Sequence, residues 1–343
     1  MLGAIATLPA QLRDGYARSV KAQEQVARAW PQDAASVTPR TLVICGMGGS
    51  GVGADLLPAV FATRGPVFAV KGYELPEWVS DEDRVVCVSY SGNTAETIAC
   101  FKAAIKRSVV AAVVTSGGTI GTLAAEQDLP IVDIPQGMQP RAAVGVLFGA
   151  LAGIAEALNV VDDAEDVIGQ AAAGAQVVID LHVEGEGDSA DAPALGLARQ
   201  LEDCAVVIYG SGVTVPVAQR WKAQINENGK VPAFANAYPE LDHNELVGWE
   251  YAGASGARWA LVELVAANVL PEIRLRMDVT RELIDESLVA ALRLDALSVS
   301  RAGSVFELLA WGDYVSVYLA LLRGIDPSPV DRITALKERL GGA

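Results

Sequence analysis

Two serines and two threonines crowd residues 89–97, SYSGNTAET, directly after the apolar run RVVCV at 84–88. Such a run predicts a strand, and a strand ending in hydroxyls and a glycine predicts a tight turn into a helix. One hydroxyl suffices to cap that helix. Ser89, Ser91 and Thr94 together exceed what a cap requires. Neutral donors gathered at the positive end of a helix dipole suit a single phosphate monoester.

A second loop, GMGGSGVG at 46–53, also follows an apolar run and opens a helical pattern. Its Gly46-x-Gly48-x-x-Gly51 spacing matches a dinucleotide loop, and Glu74, 23 positions beyond Gly51, could meet a ribose. The same glycines would cradle a sugar phosphate equally well, because either ligand needs close backbone approach and amides directed at an anion. A tight turn accounts for one glycine but hardly for five in eight residues. The hydroxyls after the third strand decide for the phosphate monoester, since a nicotinamide site does not ask for them. Gly49, Ser50, Ser89, Ser91 and Thr94 form the expected phosphate site.

These loops need a scaffold that brings strand ends together. Residues 11–30 read as an amphipathic helix. Strand-like runs follow at 41–45, 66–70, 84–89, 109–115 and 130–134, separated by helical patterns such as 94–107 and 117–126, and residues 141–158 read as a closing apolar helix. Apolar strands alternating with helices predict a parallel sheet covered on both faces. CAVVIYGSGVT at 204–214 echoes TLVICGMGGSG at 41–51, which predicts a second copy of the same unit facing the first across a cleft. Later strands are expected at 233–237, 259–262 and 296–300, and helices at 305–322 and 329–340. The expected fold is α/β, two doubly wound parallel-sheet domains of three αβα layers in tandem. Residues 1–160 form the first domain and 196–343 the second. Residues 161–195 between them read as a linker, with an acidic insertion at 183–193.

The bulk numbers narrow the partners. The 343 residues carry a net charge of −16 and no basic run, which disfavours nucleic acid. No uninterrupted apolar stretch of about 18 residues predicts a membrane span. The four cysteines lack metal-ligand spacing, and the first residues lack a secretory pattern, so a reducing cytoplasm is the expected location. Arg141 follows the fifth expected strand, at the carboxyl edge where ligands bind; there it could neutralise a phosphate or an enediolate, or simply form a salt bridge.

GMGGSG followed by SYSGNTAET resembles the sugar isomerase (SIS) domain. INENGKVPAFANAYPELDHNELVGWE at 225–250 and WGDYVSVYLALLRGIDPSPVDRITALK at 311–337 resemble the bifunctional phosphoglucose/phosphomannose isomerases. The likeness runs in order over nearly the whole chain. It implies interconversion of glucose 6-phosphate or mannose 6-phosphate with fructose 6-phosphate, with no cofactor and no obligatory metal. Aldose–ketose isomerisation needs one carboxylate that reaches two adjacent carbons, and the resemblance puts Glu227 in that role. It makes His243 the ring-opening group, donated by the partner subunit of a homodimer, with Asp242 and Glu245 beside it to orient the imidazole. It also places an active-site lysine at Lys337. His182 is expected to be an ordinary packing or surface residue. Gly229, Ser328 and the acidic insertion depart from the family pattern without removing a catalytic group. A phosphosugar-binding regulator and an isomerase of a modified sugar phosphate are the competing readings.

Overall fold

The structure, a computed structural model, describes residues 1–28, 38–183 and 192–341. Two compact units divide the chain. Thr7–Ala172 and Val330–Ala343 make the first; Met1–Ala6 and Ala173–Pro329 make the second. Both ends of the chain therefore belong to the unit opposite the one expected from sequence order.

The first unit is a five-stranded parallel sheet of β1 (Leu42–Cys45), β2 (Val67–Val70), β3 (Arg84–Ser89), β4 (Val110–Thr115) and β5 (Ile131–Asp133), in the order β2-β1-β3-β4-β5. All residues of β1, β3 and β4 are buried, as sheets covered on both faces require, and this is why those strands read as unbroken Val, Ile, Cys and Ala. In this order the chain runs to one side of β1 and then back to the other, so a crevice opens between the ends of β1 and β3. The two loops with chemistry-bearing residues are the ones that leave those strands. The helices assigned to this unit are α2 (Leu8–Arg28), α3 (Gly48–Val60), α4 (Ala95–Lys106), α5 (Gly118–Glu126), α6 (Val144–Ala157) and the C-terminal α13 (Asp331–Arg339).

The second unit repeats the plan with four parallel strands, β6 (Ala205–Ser211), β7 (Ala233–Tyr238), β8 (Trp259–Val265) and β9 (Leu288–Asp295), in the order β7-β6-β8-β9. Its helices are α1 (Leu2–Ala6), α8 (Pro193–Leu201), α9 (Val215–Gln224), α10 (Glu245–Gly248), α11 (Pro271–Ile284) and α12 (Arg301–Leu322). Helix α12 has the length and apolarity of a membrane span, but 83% of its apolar window is buried within the protein, as a core helix requires.

Two expectations are corrected, and one helix is added. Most of the supposed linker 161–195 is a helix, α7 (Ala164–Val183), that buries Ala171, Ala172, Ala175, Val178 and Ile179. An alanine-rich composition read as spacer is also the composition with the best helix propensity. Of the acidic stretch 183–193, residues 184–191 lie outside the described residues. The last strand spans Leu288–Asp295 rather than 296–300; Ser300 instead caps α12, its Oγ accepting the Gly303 amide at 3.0 Å. Helix α11 was not foreseen, although Pro271 at its first turn and the buried face Met277, Thr280 and Ile284 signal it.

Candidate active site

In the first unit the expected phosphate residues converge. The Ser50 Oγ accepts the Tyr90 amide at 3.1 Å, joining the turn after β1 to the turn after β3. Ser89, fully buried, accepts the Gly92 amide at 3.1 Å and lies 3.1 Å from Thr94 Oγ1. The Ser91 Oγ accepts the Asn93 amide at 3.2 Å and is exposed. Each hydroxyl has one hydrogen and two lone pairs. Backbone amides occupy the acceptor side of Ser50, Ser89 and Ser91, and among the described residues the donor hydrogens of Ser50 and Ser91 have no acceptor. The Ser89–Thr94 pair shares one hydrogen and leaves one over. Thr94 is the N-cap of α4 yet makes no side-chain cap bond, so the positive helix end stays open. Asn93 does not cap α4 either; its Oδ1 accepts the amide and hydroxyl of Thr119, both at 2.9 Å, at the start of α5. Ser89 is a buttress within this group, its buried hydroxyl holding Thr94 and the turn in place.

The glycine-rich loop has a different explanation from the one its composition suggested. A Cβ on Gly51 would lie 2.5 Å from the Gly46 carbonyl, and one on Gly49 would lie 2.9 Å from the Pro140 carbonyl and 3.0 Å from Arg141 Cα. Close packing of backbone on backbone therefore requires these glycines before any ligand is considered. At Gly49 the packing has a functional consequence. It brings the turn Pro140–Ala142, and with it the buried Arg141, against the start of α3. Tyr90 ties the same region to the hydroxyl loop, its phenol donating to the Pro135 carbonyl at 3.0 Å and accepting the Met138 amide at 2.8 Å. Lys337 is exposed on α13, which belongs to this unit and not to the one carrying Glu227 and His243.

In the second unit Glu227 is half-buried in a single π-helical turn, Ile225–Gly229, that continues α9. Such turns are uncommon and frequent at functional sites. The turn is held on every side. Asn226 Oδ1 accepts the Ala233 amide at 2.8 Å, the buried Asn228 donates to Ser316 Oγ at 2.9 Å, and Lys230, left-handed at φ 56°, directs its ammonium to the carbonyls of Glu227, Pro327 and Pro329. Beneath it, α9 is locked to α12. Arg220 makes a bidentate buried pair with Asp313 at 3.0 and 2.7 Å, Gln224 donates to the same carboxylate at 2.9 Å, and the Trp221 indole donates to the Leu308 carbonyl at 2.8 Å. Gly312 leaves room for that indole, which would lie 2.4 Å from a Cβ there. The segment WGDYVS, met in the sequence as a family signature, thus has a physical task. It is the wall that fixes the carboxylate-bearing turn.

His243 ends a 3-10 turn, Glu240–His243, after β7, and its imidazole is exposed. It stands apart from Glu227. One lies before the amino end of β7 and the other after its carboxyl end, so a six-residue strand, roughly 20 Å at ~3.3 Å per residue, separates them. The flanking carboxylates do not orient the ring, contrary to expectation. Asp242 accepts from Thr280 Oγ1 at 2.8 Å and Arg276 Nη1 at 3.1 Å, and Glu245 accepts from the Tyr209 phenol and, at 2.5 Å, from Asn236 Nδ2. Among the described residues the His243 imidazole has no hydrogen bond or ion pair. His182 is a packing residue as expected, stacked on Tyr314 at 4.2 Å between ring centres and 6° between planes.

Residues 190–340 match the family described as the bacterial phospho-glucose isomerase C-terminal SIS domain. The bifunctional phosphoglucose/phosphomannose isomerase of Caldicellulosiruptor bescii is 34% identical over 304 residues, 87% of this chain and 89% of its own. The enzyme of the same description from Aquifex aeolicus is 31% identical over 315 residues, 91% and 94% of the two chains. The chain belongs to the bifunctional phosphoglucose/phosphomannose isomerase family. A glucose-6-phosphate isomerase structure from Chlamydia trachomatis shares the fold, with a TM-score of 0.72 at 14% identity over 98% of this chain and 77% of its own.

Each unit carries its own set of polar groups. The first offers neutral hydroxyl donors, an open helix end and a buried arginine, groups of a kind that suit an anion. The second offers a rigidly held carboxylate and an unattached imidazole. Among the described residues no three His, Cys, Asp or Glu side chains are disposed to hold a metal ion. Arg220, Asp313, Ser316 and Thr280, which hold these turns, carry no signal in the sequence beyond Asp313 and Ser316 being polar within the apolar run of α12.

Proposed function

We propose that this chain interconverts glucose 6-phosphate and mannose 6-phosphate with fructose 6-phosphate through an enediolate. The observation that carries the reading is the set of leftover hydroxyl hydrogens of Ser50, Ser91 and the Ser89–Thr94 pair at the uncapped start of α4. That arrangement suits a monoester phosphate, and family membership supplies the hexose. Glu227 removes the proton from one of the two carbons C1 and C2 and returns it to the other. Its turn is held by buried bonds, which suits a base that must reach both carbons without moving far. Arg141 stabilises the negative charge that develops on the enediolate oxygen. His243 and Lys337 open the sugar ring, exchanging protons with the ring oxygen and the anomeric hydroxyl. The strand's length between His243 and Glu227, and the partnerless imidazole, support a homodimer in which His243 serves the partner subunit's site.

The test is a coupled assay of fructose 6-phosphate formation from each hexose phosphate, with and without chelator, on the native chain and on Glu227→Gln. Turnover of both substrates, insensitive to chelator and reduced by roughly 10²–10⁴-fold in the variant, is expected. Binding without turnover would leave a phosphosugar-binding module and overturn the enzymatic reading. Undiminished activity in Glu227→Gln would remove that residue from its role.

A further inference from the structure

The loop that carries His243 is clamped on both sides of the histidine. Asp242, its side chain only 10% exposed, is fixed to α11 through the Thr280 hydroxyl and the Arg276 guanidinium. Two residues beyond His243, Glu245 is fixed to β6 and β7 through Tyr209 and Asn236. The last residue of β7 is pinned as well, the Tyr238 phenol donating to the fully buried Glu263 at 3.0 Å. An exposed imidazole on a free loop would sample many positions. Proton transfer in a cleft tolerates little misplacement, and an error of about 1 Å can cost about 10²-fold in rate. The carboxylates beside His243 are the groups usually thought to tune an imidazole directly, yet here both are bonded to other side chains.

We propose that Asp242 is a positioning residue whose anchorage to Thr280 and Arg276 on α11 sets where His243 stands. The proposal rests on the ring-opening role given to His243 above. It makes α11, a helix that carries no proposed catalytic group, a determinant of ring opening. It also separates two functions that adjacency in sequence would merge: Asp242 governs the place of the imidazole and not its proton affinity.

The experiment compares Thr280→Val, which keeps side-chain shape and removes the donor, with Thr280→Ser, which restores it, and with Arg276→Met at the exposed second contact. Each is assayed with fructose 6-phosphate and with 5-deoxyfructose 6-phosphate, which cannot close a ring. Thr280→Val is expected to lower kcat roughly ten- to hundredfold for the cyclic substrate. The open-chain turnover, the KM and the midpoints of the pH–rate profile should stay unchanged. Thr280→Ser should recover the loss, and Arg276→Met should show a smaller loss of the same kind. Equal loss on both substrates, or a displaced pH midpoint, would overturn the positioning role. So would full cyclic turnover in a folded Thr280→Val. His243→Ala separates this proposal from its foundation. If that variant slows only the cyclic substrate while Thr280→Val does not, the anchor alone is wrong. If it slows neither, the ring-opening assignment and the anchor fall together.

Discussion

The first unit leaves hydroxyl hydrogens available at its crevice, and the second unit, built on the matching strand order, leaves none from its threonine. After β6 the chain repeats the strand, glycine and helix of β1, and places Thr214 where a phosphate loop could have formed. That hydroxyl is fully engaged: it accepts the Ser211 amide at 2.8 Å and directs its hydrogen to the carbonyls of Ser211 and Leu264, at 3.0 and 2.9 Å. The corresponding loops of the first unit use amides to fill their acceptor sites and keep donors in hand. Sequence echo therefore marks a shared way of turning from strand to helix, not a shared ligand. The second unit's proposed catalytic groups sit elsewhere, on a π-helical turn before β7 and on a loop after it. Both regions depend on buried polar bonds, which in the first arrange donors and in the second hold the turn of Glu227 and the neighbours of His243.

The largest effect expected from breaking this contrast is at the base of the carboxylate-bearing turn. Arg220→Met leaves Asp313 buried without its bidentate partner, and removal of one partner of such a pair costs about 3–5 kcal/mol. Urea unfolding should register that loss. A loss below about 1 kcal/mol would show that the α9–α12 lock is not what holds Glu227 in place.

A matched pair of substitutions sharpens the comparison of the two loops. Ser91→Ala removes an exposed donor and should weaken sugar-phosphate affinity by about 1.5–3 kcal/mol, the contribution of a hydrogen bond to a charged group, with little change in stability. Thr214→Val should do the reverse. It should cost about 1–3 kcal/mol of stability, because an amide and two carbonyls lose a buried partner, and leave affinity unchanged. Titration calorimetry and urea unfolding on both variants read the two effects separately. If Thr214→Val weakened binding as much as Ser91→Ala, the distinction between the loops would collapse.

Acid should act on the second unit, which holds both histidines of the chain. Burial pushes the His182 pKa below its usual value, against the opposing pull of the Val178 carbonyl. The Ala194 amide donates to its Nε2 at 3.3 Å, a bond only an unprotonated nitrogen accepts. The unfolded chain takes up this proton more readily than the folded one. Stability from His182 is therefore complete above the unfolded value of about 6.5 and is lost as the pH falls through and below it. Melting temperatures measured from pH 7.5 to pH 5 should decline, and His182→Gln should flatten that decline. An unaltered slope would exclude His182 as its source.

The smallest effect returns to the first unit. The Thr97 hydroxyl is buried in the first turn of α4 and has no partner among the described residues. Leaving such a group unpaired costs about 1–3 kcal/mol, so Thr97→Val should stabilise the protein by about 1 kcal/mol without altering affinity. Destabilisation, or weaker binding, would show that this hydroxyl is engaged by the ligand or by water, and would enlarge the set of donors in the first loop.

The sequence alone determined the five strands of the first unit, the loops that leave β1 and β3, the grouping of Ser50, Ser89, Ser91 and Thr94, and the family likeness of the segments around Glu227 and His243. These are local matters: apolar runs, turn residues and short motifs whose meaning lies within about ten neighbours. Tertiary structure decided the rest. It made Ser89 a buttress, because only folding puts its hydroxyl between Gly92 and Thr94 with no access to solvent. It engaged Asp242 and Glu245 with partners other than the histidine between them: Thr280 and Arg276 for the first, Tyr209 and Asn236 for the second. It gave Gly312 beside Trp221, and Gly49, their purpose and the alanine-rich residues 164–183 their helix. A polar side chain in sequence states only what it can bond to; which partner it finds is set by the long-range packing that brings one donor within about 3 Å and keeps the others away.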